Sequence, residues 1–140
     1  IMEDRGHWLP HDQKDPWDIY RQLADWNDRM FDRALGDEKL LLETYGIFHN
    51  TKNTKGVVRD HIYGRRYGFQ YGVFPELLRH PANCQIITHA HNVKKSKTKE
   101  CAMTLDALFE KIINYTLPWH EQSLCCELIW LYQSGKRYNS

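Results

Sequence analysis

The chain reads as an α+β protein: two strands and a following helix at its centre, a helical segment before them and two helices after. Three observations predict this. Val57-Val58-Arg59-Asp60-His61-Ile62 is β-branched at its start and residues 83–88 form a second short apolar run, so both read as strands. Leu105, Leu108, Phe109, Ile112 and Ile113 recur at helical spacing. The chain has 140 residues, 41% hydrophobic and 13% aromatic, which is enough for one main core and hardly for two.

Asp15-Pro16-Trp17-Asp18 opens the first helix, with an acid at the N-cap, Pro at the first helical position and a second acid in the first turn. Tyr20, Leu23, Ala24, Met30, Phe31, Ala34 and Leu35 continue at helical spacing to Gly36, a natural stop. Leu40-Leu41-Leu42 predicts a second helix ending near Tyr45 and Gly46, with a strand as the alternative for so short a segment. The polar, turn-forming residues 49–56 predict a surface loop into the first strand. Residues 64–81 hold Gly64, Gly68, Gly72, Pro75 and Pro81, and predict irregular chain with at most one helical turn at 75–79. After the second strand, the Thr88 hydroxyl caps a helix laid across the hairpin. Thr104 caps the clearest amphipathic helix, which Pro118 ends. A last helix from about Glu121 to Gln133 presents Leu124, Leu128, Leu131 and Tyr132 on one side, with Gly135 as its stop. The organisation expected is a helical segment over 1–46, a central unit over 47–100 and C-terminal helices packing on it over 101–140.

Nineteen basic and eighteen acidic residues give a net charge of +1, so the distribution of charge has to speak for or against a polyanionic partner. Acids crowd the first third. Arg59, Arg65, Arg66, Arg79, Lys94, Lys95, Lys97 and Lys99 gather around Asp60-His61. Cys84, Cys101, Cys125 and Cys126 lack the Cys-x-x-Cys spacing of zinc ribbons, and reduced thiols in a cytoplasmic setting are expected. No apolar run nears the ~20 residues that span a bilayer, so no membrane partner is expected. A chain opening on Ile1 is expected to be a portion of something longer.

Asp60-His61, Asn83 and Asn92 carry the chemistry. Phosphodiester hydrolysis needs a base for the attacking water and positive charge opposite the oxygens that gather charge in the transition state. His61, neutral near pH 7, suits the base. Asp60 and Asn92 offer oxygens to one hard divalent cation, Mg²⁺ above all and Mn²⁺ as an alternative, which would keep several waters. Neighbours on a regular strand point to opposite faces, so the end of the first strand is expected to twist or bulge to let Asp60 join His61. Asn83 reads as a brace that fixes the loop and orients the His61 ring. Lys94, Lys95 and Lys97, with Arg59, Arg65 and Arg66, are candidate phosphate contacts. Tyr63, Tyr67, Phe69 and Tyr71 interleave with those arginines as stacking or packing residues, and His80 reads as a loop brace. Trp17, Trp26, Trp119 and Trp130 are assigned to packing. His7, His11, His49 and His120 are expected at the surface or in structural roles.

Over residues 57–95 this pattern resembles the HNH endonucleases and their ββα-metal core. The interval from Asn83 to Asn92 is similar to the family's interval between its central Asn and last metal ligand. Arg79-His80-Pro81-Ala82-Asn83-Cys84-Gln85 resembles the His-Pro-x-Asn variant of phage-borne and homing-type members, and Asn92 to Lys95 resembles the Asn-x-x-Lys helical end. Asn92 stands where His is usual, which resembles a His-Asn-Asn subtype and leaves Asn92 or His91 as the second metal ligand. The resemblance implies DNA cleavage with one divalent ion, by a nicking monomer or a double-strand-cutting homodimer, in a phage or mobile-element protein acting in a host cell. Two other readings stand beside it: an HNH-like module that binds nucleic acid without cutting, and an interaction protein structured by zinc on His89, His91 and Cys84 or Cys101.

Overall fold

β1 (Val57–His61) and β2 (Cys84–Thr88) pair antiparallel, with Val57 opposite Thr88, Arg59 opposite Ile86 and His61 opposite Cys84. The computed structural model that shows this describes residues 15–26, 29–98 and 102–139; His7, His11, Lys99 and Cys101 lie outside them. α5 (His89–Thr98) follows β2 directly and packs on both strands, and the Thr88 hydroxyl accepts a hydrogen bond from the His91 N–H at 3.1 Å, the cap read from the sequence. The protein is α+β, and its strand, strand, helix order is compatible with a ββα unit.

The long first helix is corrected. α1 (Pro16–Leu23) begins at Pro16, but the Asp15 side chain makes no capping bond, and the helix gives way at Ala24. A single 3₁₀ turn, Met30–Arg33, follows. Gly36, expected as a stop, starts α2 (Gly36–Tyr45) with φ +58°, a conformation glycine adopts without cost. The helical spacing misled because its apolar residues serve two separate clusters. Met30 packs with Trp26 and Trp119, whereas Ala34 packs with Val57 and Ile86 under Leu41 and Leu42. From α2, the Glu38 carboxylate accepts the Ile86 N–H at 2.8 Å, so the outer edge of β2 is satisfied by a side chain.

Residues 64–81 are also more regular than expected, with α3 (Arg65–Tyr71) and α4 (Pro75–Leu78) inside them. Gly68 hid α3 from a propensity argument. It is there for closeness: a Cβ on Gly68 would collide with the Tyr20 hydroxyl and the Leu78 side chain. The main core joins α1, α4, α6 (Leu105–Ile113) and α7 (Gln122–Gln133) through Tyr20, Leu77, Leu78, Leu108, Ile112 and Ile129. Tyr20 spends its hydroxyl on the Val73 carbonyl at 2.7 Å.

Thr104 caps α6 as expected, its Oγ accepting the Ala107 N–H at 3.1 Å, but the helix ends at Ile113, well before Pro118. The fully buried residues of α7 are Cys125 and Ile129; of the expected stripe Leu128 and Tyr132 pack on the same core, Leu131 is half-buried and Leu124 is exposed. Trp130, assigned to packing, is 64% exposed. Cys84, Cys125 and Cys126 are free thiols, and burial pushes the Cys84 and Cys125 thiols up to about 12. No helix among the described residues is long and apolar enough to cross a membrane.

Gly68→Ala should destabilise the fold by about 1–3 kcal/mol, the usual range for forcing atoms into a packed site. Urea denaturation of the two proteins reads this directly, and equal midpoints would show that α3 gives way at no cost.

Candidate active site

Arg59, Asp60 and His61 at the end of β1 line one side of a cleft of about 770 Å³. Asn92, Lys95 and Ser96 of α5 line one wall; Trp17 of α1 and Gly64, Arg65, Arg66, Tyr67 and Gln70 in and before α3 line the other. The register of β1 on β2 is regular through His61, so the expected bulge is corrected: the His61 ring and the Arg59 guanidinium lie against Trp26, whereas the Asp60 carboxylate meets Gln85 and Lys95, as alternation along a strand dictates.

His61 is buried, and its Nε2 lies 2.8 Å from the Ala24 carbonyl. A carbonyl only accepts, so Nε2 carries the proton and Nδ1 the lone pair. Trp26 stacks on the ring at 3.9 Å between centroids and 11° between planes, and the Arg59 guanidinium lies 5.4 Å from the Trp26 ring centroid. Desolvation lowers the His61 pKa to about 4, outweighing the Ala24 hydrogen bond, which raises it; the imidazole is therefore neutral at pH 7.

Asn83 is fully buried just before β2. Its Oδ1 accepts the Tyr63 N–H at 2.7 Å, and its Nδ2 donates to the Tyr63 carbonyl at 3.1 Å and the Leu78 carbonyl at 3.0 Å. This is the loop brace expected. The expected orienting bond to the His61 ring is corrected: that ring is held by Ala24 and Trp26. His80 braces the same turn, Nδ1 accepting the Ala82 N–H at 2.9 Å and Nε2 facing Gln122 Oε1 at 2.7 Å.

Asp60 Oδ2 accepts from Gln85 Nε2 at 2.8 Å and from Lys95 Nζ at 2.5 Å; Lys95 also donates to the His61 carbonyl at 3.0 Å. Lys95, a candidate phosphate contact, is thus paired with an acid and only 20% exposed. Of the two candidate ligands on α5, Asn92 lines the cleft and His91 is exposed outside its lining. Arg59, Arg65 and Arg66 line the cleft, whereas Lys94 and Lys97 are exposed on α5 away from its lining. Arg66 stacks over Trp17 at 4.3 Å.

Asp60 contributes a carboxylate and Asn92 a carboxamide to the cleft lining, the oxygen donors that a hard divalent cation takes, and the Asp60 carboxylate is paired with the Lys95 ammonium. Among the described residues no three His, Cys, Asp or Glu side chains gather around a place for any metal ion; His89 stacks on Phe48 at 3.8 Å, and Cys101 of the zinc alternative lies outside those residues.

Sequence reasoning missed Trp17, Tyr67, Gln70 and Ser96 as cleft residues and Ala24 and Trp26 as the cradle of His61. Of the four interleaved aromatics, Tyr67 lines the cleft, Tyr63 is buried, Phe69 packs on the core and Tyr71 is exposed. Unread α3 concealed the Tyr67 and Gln70 face. No local signal marks Trp26, since its contact with His61 is made across the fold. Comparison of the chain with family models, with characterised proteins and with solved structures finds no match in any of the three.

The depressed His61 pKa has a sign. Between about 4 and 6.5 the unfolded imidazole binds a proton that the folded one does not, so its share of stability is complete above pH 6.5 and falls as pH drops towards 4. Native protein should lose up to about 3 kcal/mol more than His61→Gln across that window. Parallel melting curves from pH 7 to pH 4 measure the difference; superimposable losses would mean that His61 is not held neutral by burial.

Proposed function

We propose that this chain is a metal-dependent endonuclease of the HNH kind that hydrolyses DNA phosphodiester bonds. The observation that supports it most is the meeting of Asp60, His61 and Asn92 in one cleft whose other charged groups, Arg59, Arg65, Arg66 and Lys95, are all basic. A polyanion is the ligand such a field attracts. The phage-borne or mobile-element origin, and action in the cytoplasm of a host cell, belong to the same proposal.

In this reading His61 is the general base. Its proton sits on Nε2, fixed by Ala24, which leaves Nδ1 to accept a proton from the attacking water. An imidazole with a pKa near 4 is a weak base at pH 7, but a phosphate anion entering the cleft favours the charged ring and raises its pKa towards the working range. Asp60 and Asn92 would hold one Mg²⁺, or Mn²⁺ in its place. The ion supplies positive charge opposite the oxyanion and leaving oxygen. The arginines grip the backbone on either side, and Asn83 acts at a distance by fixing the chain between β1 and α4.

One observation favours a second reading, binding without cleavage: the Asp60 carboxylate is engaged by Lys95 rather than held open. A nicking assay separates the two. With Mg²⁺, the native chain should convert supercoiled plasmid to open-circular or linear product, and the product form distinguishes a nicking monomer from a double-strand-cutting homodimer. His61→Ala should slow conversion by about 10²–10⁴-fold, the usual worth of a positioned base, with DNA retention on a filter nearly unchanged. Undiminished cleavage by that variant would falsify the role of His61; retention by the native chain with no cleavage under Mg²⁺ or Mn²⁺ would favour the binding module. Arg66→Ala should weaken retention of all sequences alike and reduce the slope of log affinity against log salt by about 1. An unchanged slope would remove Arg66 from the phosphate contacts.

A further inference from the structure

We propose that Lys95 is a resident cation on Asp60 that a divalent ion must displace, and that the freed ammonium then takes hold of the substrate phosphate. The inference rests on the metal-dependent reading above and deepens it. Lys95 Nζ lies 2.5 Å from Asp60 Oδ2 and 3.0 Å from the His61 carbonyl, and the two paired side chains are only 20% and 14% exposed. This is a shielded ion pair in the place where the ion would bind.

Lys95 follows Asn92 by three positions on α5, so the competing ammonium and the amide donor share one helix face. Both line the cleft. Lys94 and Lys97 on the same helix are exposed outside that lining, so the arrangement is particular to Lys95. An ammonium and a divalent ion crowded against one carboxylate repel each other strongly in a partly desolvated site. When the ion binds Asp60, the lysine has to leave. Its four-carbon stem is flexible and Lys95 itself lines the cleft, so the ammonium can follow a phosphate that enters there. Ion and phosphate then strengthen each other's binding, each by the same factor. Without DNA the lysine screens Asp60 and keeps the affinity for stray cations low.

Mn²⁺ titration, followed by the paramagnetic resonance signal of the free ion, tests this in a His61→Ala background that stops turnover while keeping the residue 61 carbonyl. Lys95→Met should bind Mn²⁺ about ten- to a hundredfold more tightly in the absence of DNA, the worth of one hydrogen bond between charged groups. A short DNA duplex should tighten Mn²⁺ binding when Lys95 is present and much less when it is Met; Lys95→Arg, which keeps the charge, should resemble the parent. Lys95→Gln gives the same readout should the Met variant melt early. Mn²⁺ bound equally well or more weakly without the lysine overturns the proposal and leaves the metal-dependent reading standing. No Mn²⁺ binding by any of these proteins, with or without DNA, overturns both.

Discussion

Three main-chain groups of the connection between β1 and β2 end on one buried carboxamide. Asn83 accepts from Tyr63 N–H and donates to the Tyr63 and Leu78 carbonyls, while its own carbonyl accepts the Ile62 N–H at 2.9 Å and its N–H donates to His80. Such a knot requires one acceptor and two donors in a short, planar group. Asp supplies no donor when ionised, and Gln places the same atoms one methylene farther out. The Asn83 contacts fix where the chain turns after His61, and therefore where Gly64, Arg65 and the start of α3 stand relative to the end of β1. The cleft exists because this turn is held.

The β1 side of the cleft is completed from outside the central unit. The proton on His61 is placed by Ala24, one ring face is covered by Trp26, and Trp17 lines the opposite wall, all from the N-terminal segment. α7 contributes at one remove. Glu121, at its N-cap, takes Arg79 in a two-toothed ion pair at 2.6 and 2.9 Å, and Arg79 also donates to the Leu23 carbonyl at 3.0 Å. One guanidinium thus ties the C-terminal helices to the end of α1, beside the residues that cradle His61. Residues 47–100 alone would leave the imidazole without its acceptor and exposed to water, with a different protonation state.

Local chemistry was legible in the sequence wherever a residue acts within its own segment. β-branched residues marked both strands, and Thr88 and Thr104 marked their caps. Contacts across the fold were not legible. Gly68 looks like a breaker until Tyr20 and Leu78 are seen against it, and Met30 and Ala34 look like one helix face until their clusters are seen to differ. The basic residues show the same limit. Spacing on α5 treats Lys94, Lys95 and Lys97 alike, but only the fold brings Asp60 to Lys95.

That pairing alters what the charge pattern means. A net charge of +1 says little, because fields act where low-dielectric walls concentrate them. In the cleft, one carboxylate faces three guanidiniums and an ammonium. With Lys95 on Asp60 the pair is locally neutral, and Arg59, Arg65 and Arg66 set the field felt by an approaching anion. On the proposed reading, a divalent ion taking the place of the ammonium would add charge at the carboxylate and return a mobile cation to the cleft. An acid that met no lysine would draw in cations whether or not a phosphate were present; one that is already paired makes the full field conditional on both.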